Sequence, residues 1–277
     1  MSMETTELTG DGIESVHVWQ AYVMCAMTTV MFYMLGEILD RLGKPKCVAP
    51  EVEFWKWRNI TISWIHGVIC GTWVFLCLVL YPDLVRDPVA YINNFMYLMV
   101  PFSAGYFIYD TIDMKMNKKL GTYWEVTLHH FVIVSSFIYN FNIRSCIGYN
   151  VIILMAEINT IFLHMRKLLQ MCHIGFDTKL YRFVSFINIF TFVTFRLIPI
   201  LRVYSGLYLD FHRVSLTYVV TFWWTITTGL VINLILFWRL VKSDILRGFS
   251  GKRKQKLDNA TGKSIFENGD LNFDKDE

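Results

Sequence analysis

Seven apolar runs dominate the chain, near residues 17–39, 59–81, 93–113, 124–141, 146–165, 183–201 and 214–239. Each reaches or approaches the roughly 20 residues that a helix needs to cross a bilayer core. That pattern leaves little choice of fold. In hydrocarbon every backbone N–H and C=O must be satisfied within the protein, and for apolar runs of this length the helix does so. The chain is 54% hydrophobic and 18% charged, against about 45–50% and 25% in soluble proteins, so composition agrees. The expected fold is an all-α polytopic membrane helix bundle of about seven transmembrane helices, without internal repeats.

Residues 1–16 are polar and acidic (Glu4, Glu7, Asp11, Glu14) and are expected to be disordered. They lack the positive flank of a signal peptide, and the apolar run after them is too long for one, so the first span is expected to be retained. The segment 243–277, basic at 252–256 and then acidic, reads as a disordered, solvated tail. Basic residues alternate between loops. Arg41, Lys44, Lys46, Lys56 and Arg58 follow the first span; Lys115, Lys118 and Lys119 the third; Arg166, Lys167, Lys179 and Arg182 the fifth. The loops between them carry Arg86, then Arg144, then Arg202 and Arg213. Because the loops richer in Lys and Arg stay in the cytosol, the N-terminus is expected outside and the C-terminus inside. The sequons at Asn59 and Asn259 then face the cytosol, where glycosylation is not expected.

Several functions are set aside. A net charge of +3, with its basic residues confined to loops, offers no nucleic-acid surface. Six cysteines show no CxxC and no regular spacing, so neither a disulfide nor a metal site is expected. One histidine pair is too few for the di-iron centre of a desaturase. An elongase-like HxxHH fails at Val126, and there is no GxSxG or phosphate-binding glycine loop. A G-protein-coupled receptor is disfavoured by DTIDMK at the end of the third span and by the lack of NPxxY in the seventh.

The ionisable groups inside the runs are the candidates for function, since such groups are costly in a membrane. Asp110 and Asp113 share one helix face, as do Glu125 and His129, with His130 adjacent. At about 1.5 Å per residue, His129 lies about 9 Å and His66 about 12 Å inside the cytosolic ends of their spans. Glu157, Asn159 and Asn233 fall in the same half, while Arg196, just before Pro199, falls in the outer half. Rings on neighbouring helix positions point about 100° apart, so His129 and His130 are not expected to serve packing alone. Asp110 or Asp113 is expected beside the pair, orienting an imidazole. The alternative is that such contacts only lock helices together. For His66 the small neighbours Gly67, Cys70 and Gly71 favour that packing role. Trp55, Trp57, Tyr123 and Trp124 are expected to be interfacial anchors. Spans two to seven are expected to enclose a cavity, with the first span peripheral.

WKWRN at 55–59, the His66 segment, FSAGYFIYDTID at 102–113, WEVTLHH at 124–130, the Glu157 segment and LYR…FRLIP at 180–199 together resemble a TLC domain. That is the membrane domain named for translocon-associated, longevity-assurance and ceroid lipofuscinosis proteins. The resemblance covers 50–242 and is nearest the subfamily of TLC domain-containing proteins one and two, which includes calfacilitin. It implies a six-helix core preceded by one N-terminal helix in residues 17–49. It also implies regulation of phospholipid acyl composition and membrane fluidity, limiting polyunsaturated chains, at the plasma membrane, with the endoplasmic reticulum as the alternative. The wider family includes ceramide synthases, whose site uses an adjacent histidine pair. His129–His130 matches it, whereas their paired aspartates are replaced here by Glu157, Ile158 and Asn159.

Two readings follow. One is a regulator that acts without catalysis. The other is an acyl-CoA-dependent acyltransferase with His129 or His130 as general base. His66, Asp110, Asp113, Glu125, Glu157, Asn159, Arg196 and Asn233 form the supporting polar cluster. No cofactor is expected, with acyl-CoA entering only as a candidate substrate. The expected partners are membrane phospholipids or their acyl chains, and either reading requires a lipid-sized cavity opening to the cytosol.

Overall fold

A computed structural model of the protein describes residues 15–243, and among them every regular element is helical. The expected disordered ends, 1–16 and 243–277, lie outside the described residues except for residues 15, 16 and 243. In order the helices are α1 (Val18–Leu42), α2 (Phe54–Leu80), α3 (Asp83–Arg86), α4 (Asn94–Met116), α5 (Trp124–Ile143), α6 (Ile147–Leu154) and α7 (Ala156–Met171). Then come α8 (Lys179–Phe192), a π-helical turn (Val193–Leu197), α9 (Ile198–Leu209), a short 3₁₀ turn (Phe211–Arg213) and α10 (Leu216–Val241). The chain divides into two compact units, Met1–Leu236 and Phe237–Glu277. The second is described only over residues 237–243.

Five stretches are long and apolar enough to cross a membrane: Val18–Leu42, Phe54–Leu80, Ile147–Met171, Lys179–Leu209 and Leu216–Val241. Helices α4 and α5, of 23 and 20 residues, have the length but carry Asp110, Asp113, Glu125, His129 and His130. This is a polytopic helical bundle.

In lipid, helices associate through close packing and hydrogen bonds rather than through burial of apolar surface from water. Two contacts do most of that here. Helix α4 buries residues on every face, Met96 through Met114, and Gly105 lets α1 approach it. A Cβ at Gly105 would sit 2.8 Å from Thr28 Cβ and overlap the Cys25 carbonyl. The Thr29 hydroxyl donates to the Gly105 carbonyl at 3.0 Å. On the other side, Gly67 and Gly71 of α2 pack against α7, where a Cβ would lie 3.2 Å from Thr160 and 3.3 Å from the Glu157 carbonyl. This bears out the packing reading of the small residues around His66, and it brings Glu157 beside that ring.

The first span lies at the edge of the bundle, with only Ala21, Thr28, Phe32 and Gly36 buried, but it packs closely along that face. Phe32 of α1 is fully buried, with its ring 5.0 Å from Tyr106 and 5.9 Å from His66. Asp40, near the end of α1, pairs with Arg58 of α2. Along its apolar stretch these contacts are mostly steric and aromatic, which a scarcity of ionisable groups does not reveal. Trp55 and Trp57 depart from expectation. Both are buried, Trp55 because its indole donates to Asp113 at 2.8 Å and Trp57 because it packs with Val48 and Met171. Trp124, 60% exposed, keeps the position of an anchor.

Candidate functional site

The polar residues of α2, α4, α5, α7, α8, the π turn and α10 resolve into two arms. The first lies between α4 and α5. Asp110 is buried, with one carboxylate oxygen accepting from the Asn59 amide at 2.5 Å and the other 3.4 Å from His130 Nδ1. Asp113, one turn on, instead takes the Trp55 indole and the Arg58 guanidinium. Of the two aspartates it is therefore Asp110 that faces the histidine pair. Asp113 is held by two residues of α2 rather than by the lysines of the following loop.

The second arm is built on Arg196. Pro199 has no N–H, so the carbonyl four residues before it receives no α-helical bond. The Ile198 N–H bonds instead to the Val193 carbonyl, five residues back. Such π turns re-aim side chains and recur at functional sites. Here Arg196 reaches Asn159 Oδ1 through Nε at 2.8 Å, Thr160 Oγ1 at 2.7 Å and Asn233 Oδ1 at 3.1 Å. The apparent exception in depth thus joins the cluster. Asn159 is itself fixed from α8, donating to Asn188 Oδ1 and Thr191 Oγ1, each at 3.0 Å. Glu157 sits in the first turn of α7, just past the irregularity at Met155, where free N–H groups favour a carboxylate.

His129 and His130 part company as the helical geometry requires. Their ring centres are 6.0 Å apart; His130 turns to Asp110, and His129 turns into a cavity of about 70 Å³. The cavity wall comprises Phe107, Ile133, Phe137, Ile153 and other apolar side chains on one side. His129, Glu157, Arg196 and Asn233 form its polar side. Neither α1 nor α2 contributes, so the enclosing set is smaller than spans two to seven. The volume is also smaller than the lipid-sized cavity expected. One water needs about 10–15 Å³ on this scale, so the space suits several waters or the polar end of a longer molecule. His66 lies behind the wall, stacked on Tyr106 with ring centres 3.8 Å apart and its Nδ1 3.6 Å from Glu157. Glu125 stands one turn before His129, half-buried, and takes no part in the wall.

Some hydrogen-bonding capacity is unused. Both ring nitrogens of His66 and Nδ1 of His130 are buried without a hydrogen-bond partner, since the facing carboxylates stand at 3.4–3.6 Å. Unpaired buried polar atoms are costly, so these are places for water or for a ligand's polar atoms. Among the described residues no group of three or more His, Cys, Asp and Glu side chains could hold a metal ion.

The TLC domain family matches residues 56–242. The chain belongs to that family. It is 35% identical over 228 residues to TLC domain-containing protein 2 of Danio rerio, covering 79% of this chain and 89% of that one. It is 29% identical over 238 residues to TLC domain-containing protein 1 of Mus musculus, covering 85% and 95%. Every residue of both arms except Trp55, from Arg58 to Asn233, lies inside the matched TLC domain, whereas α1 lies outside it. Within the domain, sequence reasoning missed Asn59, Thr160, Ser136 and Thr225. The first two bond to Asp110 and Arg196, and the last two line the cavity. Helical spacing could have found two of them: Asn59 is seven residues before His66 and Thr160 three after Glu157, each on its partner's face. His164, seven residues after Glu157, shares that face as well.

Proposed function

We propose that this TLC-domain protein regulates the acyl composition of membrane phospholipids, and hence fluidity, by limiting polyunsaturated chains. The observation that carries the reading is the two-sided cavity. Its apolar side suits a chain segment, and His129, Glu157, Arg196 and Asn233 offer donors and acceptors to a carbonyl or headgroup. Placement in the plasma membrane, with the endoplasmic reticulum as alternative, and an outer N-terminus with a cytosolic C-terminus belong to the same proposal. The loop charge bias supports the orientation, and tags at both ends probed before and after permeabilisation test it. Gly229 provides the test of the cavity. It lines the space, and a Cβ there meets no atom within 4 Å, so Gly229→Leu begins without strain and is the variant chosen to fill the cavity. Cells making the wild type should show a lower polyunsaturated fraction than cells making Gly229→Leu at equal abundance. Equal phospholipid profiles for the two would remove the cavity from the function.

A second reading is favoured by one observation, that His129 shares the cavity with Glu157 and Arg196. In an acyltransferase His129 would take the proton from an attacking amine or hydroxyl, and Arg196 would stabilise the charge forming on the thioester oxygen. Purified protein given labelled acyl-CoA separates the readings. Transfer that is lost in His129→Gln supports catalysis. A lipid phenotype that survives His129→Gln and His130→Gln rules it out, because Gln keeps hydrogen bonding but cannot carry the proton.

A further inference from the structure

Cys47, in the α1–α2 loop, and Cys172, capping the end of α7, are 125 residues apart in sequence, yet their sulfurs are 3.3 Å apart. No other pair of the six cysteines is in sulfur–sulfur contact among the described residues, and Cys70, Cys77 and Cys146 are buried. The loop is held where it stands. The Ala49 N–H donates to the Met171 carbonyl at 2.8 Å. The Lys44 ammonium gathers the carbonyls of Ala49, Pro50 and Val52 at 2.8, 3.2 and 3.0 Å. Val48, Trp57 and Met171 pack into a small apolar cluster beside the thiols. The proximity of the sulfurs is therefore built from both sides of the junction. A bond length of about 2.05 Å requires them to close by a little over 1 Å.

We infer that Cys47 and Cys172 form a reversible disulfide modification site that clamps the α1–α2 loop to the end of α7. A metal does not explain the pair. His173 and Glu51 are near, at 3.5 Å from each other, but no ligand group of three or more forms there.

The oxidant is a small-molecule disulfide. The thiolate of Cys47, the more exposed partner, attacks one of its sulfurs, forming a mixed disulfide and releasing one small thiolate. The Cys172 thiolate then attacks the Cys47 sulfur, forming the internal bond and releasing the second. Two protein thiols are oxidised, one external disulfide is reduced to two thiols, and the two protons go to the leaving thiolates. Burial, together with the Cys47 thiol beside it, pushes the Cys172 thiol up to about 11, so its attack is the slower step at neutral pH and is helped by the 3.3 Å proximity of the sulfurs. Helix α7 carries Glu157, Asn159 and Thr160 at its other end, so the clamp acts on an element of the cavity.

The test uses the full-length protein, purified reduced in detergent and then equilibrated with oxidised glutathione at a series of ratios to the reduced form. Unreacted thiols are alkylated after denaturation, and peptides are mapped by mass spectrometry. The expected result is a Cys47–Cys172 linked peptide approaching one per chain, with titratable thiols falling from six to four and returning to six with dithiothreitol. Cys47→Ser and Cys172→Ser should each abolish the linked peptide. Stable glutathione adducts on Cys47 in the wild type, disulfide-linked dimers, or six free thiols at the most oxidising ratio would each overturn the assignment.

Discussion

The loop clasp opposite the basic end and the cavity inside the bundle both use charge, but in different ways. In the clasp, Arg213 holds both oxygens of Asp87 at 2.8 and 2.9 Å and one of Asp210 at 3.1 Å. Tyr149 donates to the other Asp210 oxygen, and Arg202 donates to the Val85 carbonyl. These groups are partly exposed, water could serve them, and yet they are closely paired. In the interior, where an unpaired group is expensive, His66 and His130 keep ring nitrogens without hydrogen bonds. A region built only for stability would show the reverse. The unpaired nitrogens belong to rings behind the cavity wall and beside Asp110, whereas Arg196 and Asn233 in the wall itself are hydrogen-bonded, and the clasp is closely paired throughout.

The largest test of this contrast is Arg196→Met. It strands Asn159, Thr160 and Asn233 and leaves Glu157 without its nearby cation, so a loss of about 3 kcal/mol is expected. Thermal unfolding in detergent measures it, and an unchanged midpoint would show Arg196 to be dispensable to the fold. Next come the histidines, which should separate. His130→Gln disturbs the contact with Asp110 and should destabilise by about 1–2 kcal/mol. His129→Gln, facing the cavity, should change stability by less than half as much. Equal losses would erase the division of labour between the two rings.

The smallest effect belongs to the clasp. Asp87→Asn should cost about 0.2–1 kcal/mol, as exposed ion pairs do. Its pH dependence has a definite sign. Partial burial pushes the Asp87 carboxyl upward, but bonds from Arg213 and the Ala90 and Val89 amides outweigh it, leaving the carboxyl below its ordinary value of 3.8. A depressed folded value means the contribution is present above pH 4 and is lost as pH falls through the lowered value. Wild type and Asp87→Asn should therefore converge in stability on acidification below pH 4. Parallel curves would show that the pair contributes nothing.

Much of the helix plan was legible in the sequence. The α5 run was expected at 124–141 and is found at Trp124–Ile143, and α4 and α10 begin within two residues of expectation. Apolar length is a local property, so local reading suffices. The polar residues were legible as a set, but their grouping was not. Nothing local says that the chain before Pro199 forms a π turn, with Ile198 N–H on the Val193 carbonyl, and carries Arg196 to Asn159 and Asn233. Gly105 admits α1, a helix far from it in sequence, and no local pattern announces that role. Cys47 and Cys172 looked unrelated because the chain between them makes four long helices before returning.

The all-round burial of α4 also bears on how the bundle is made. A helix with Asp110 and Asp113 near one end gains little from entering lipid alone, since each carboxylate adds about 2.5–3.5 kcal/mol at mid-membrane, less toward an end. The partners that relieve this are Asn59, Trp55 and Arg58 of α2, and the backbone at Gly105 is met by Thr29 of α1. Both helices are synthesised earlier and qualify as spans unaided. Helix α4 thus depends for its carboxylates and its glycine face on helices that precede it in the chain.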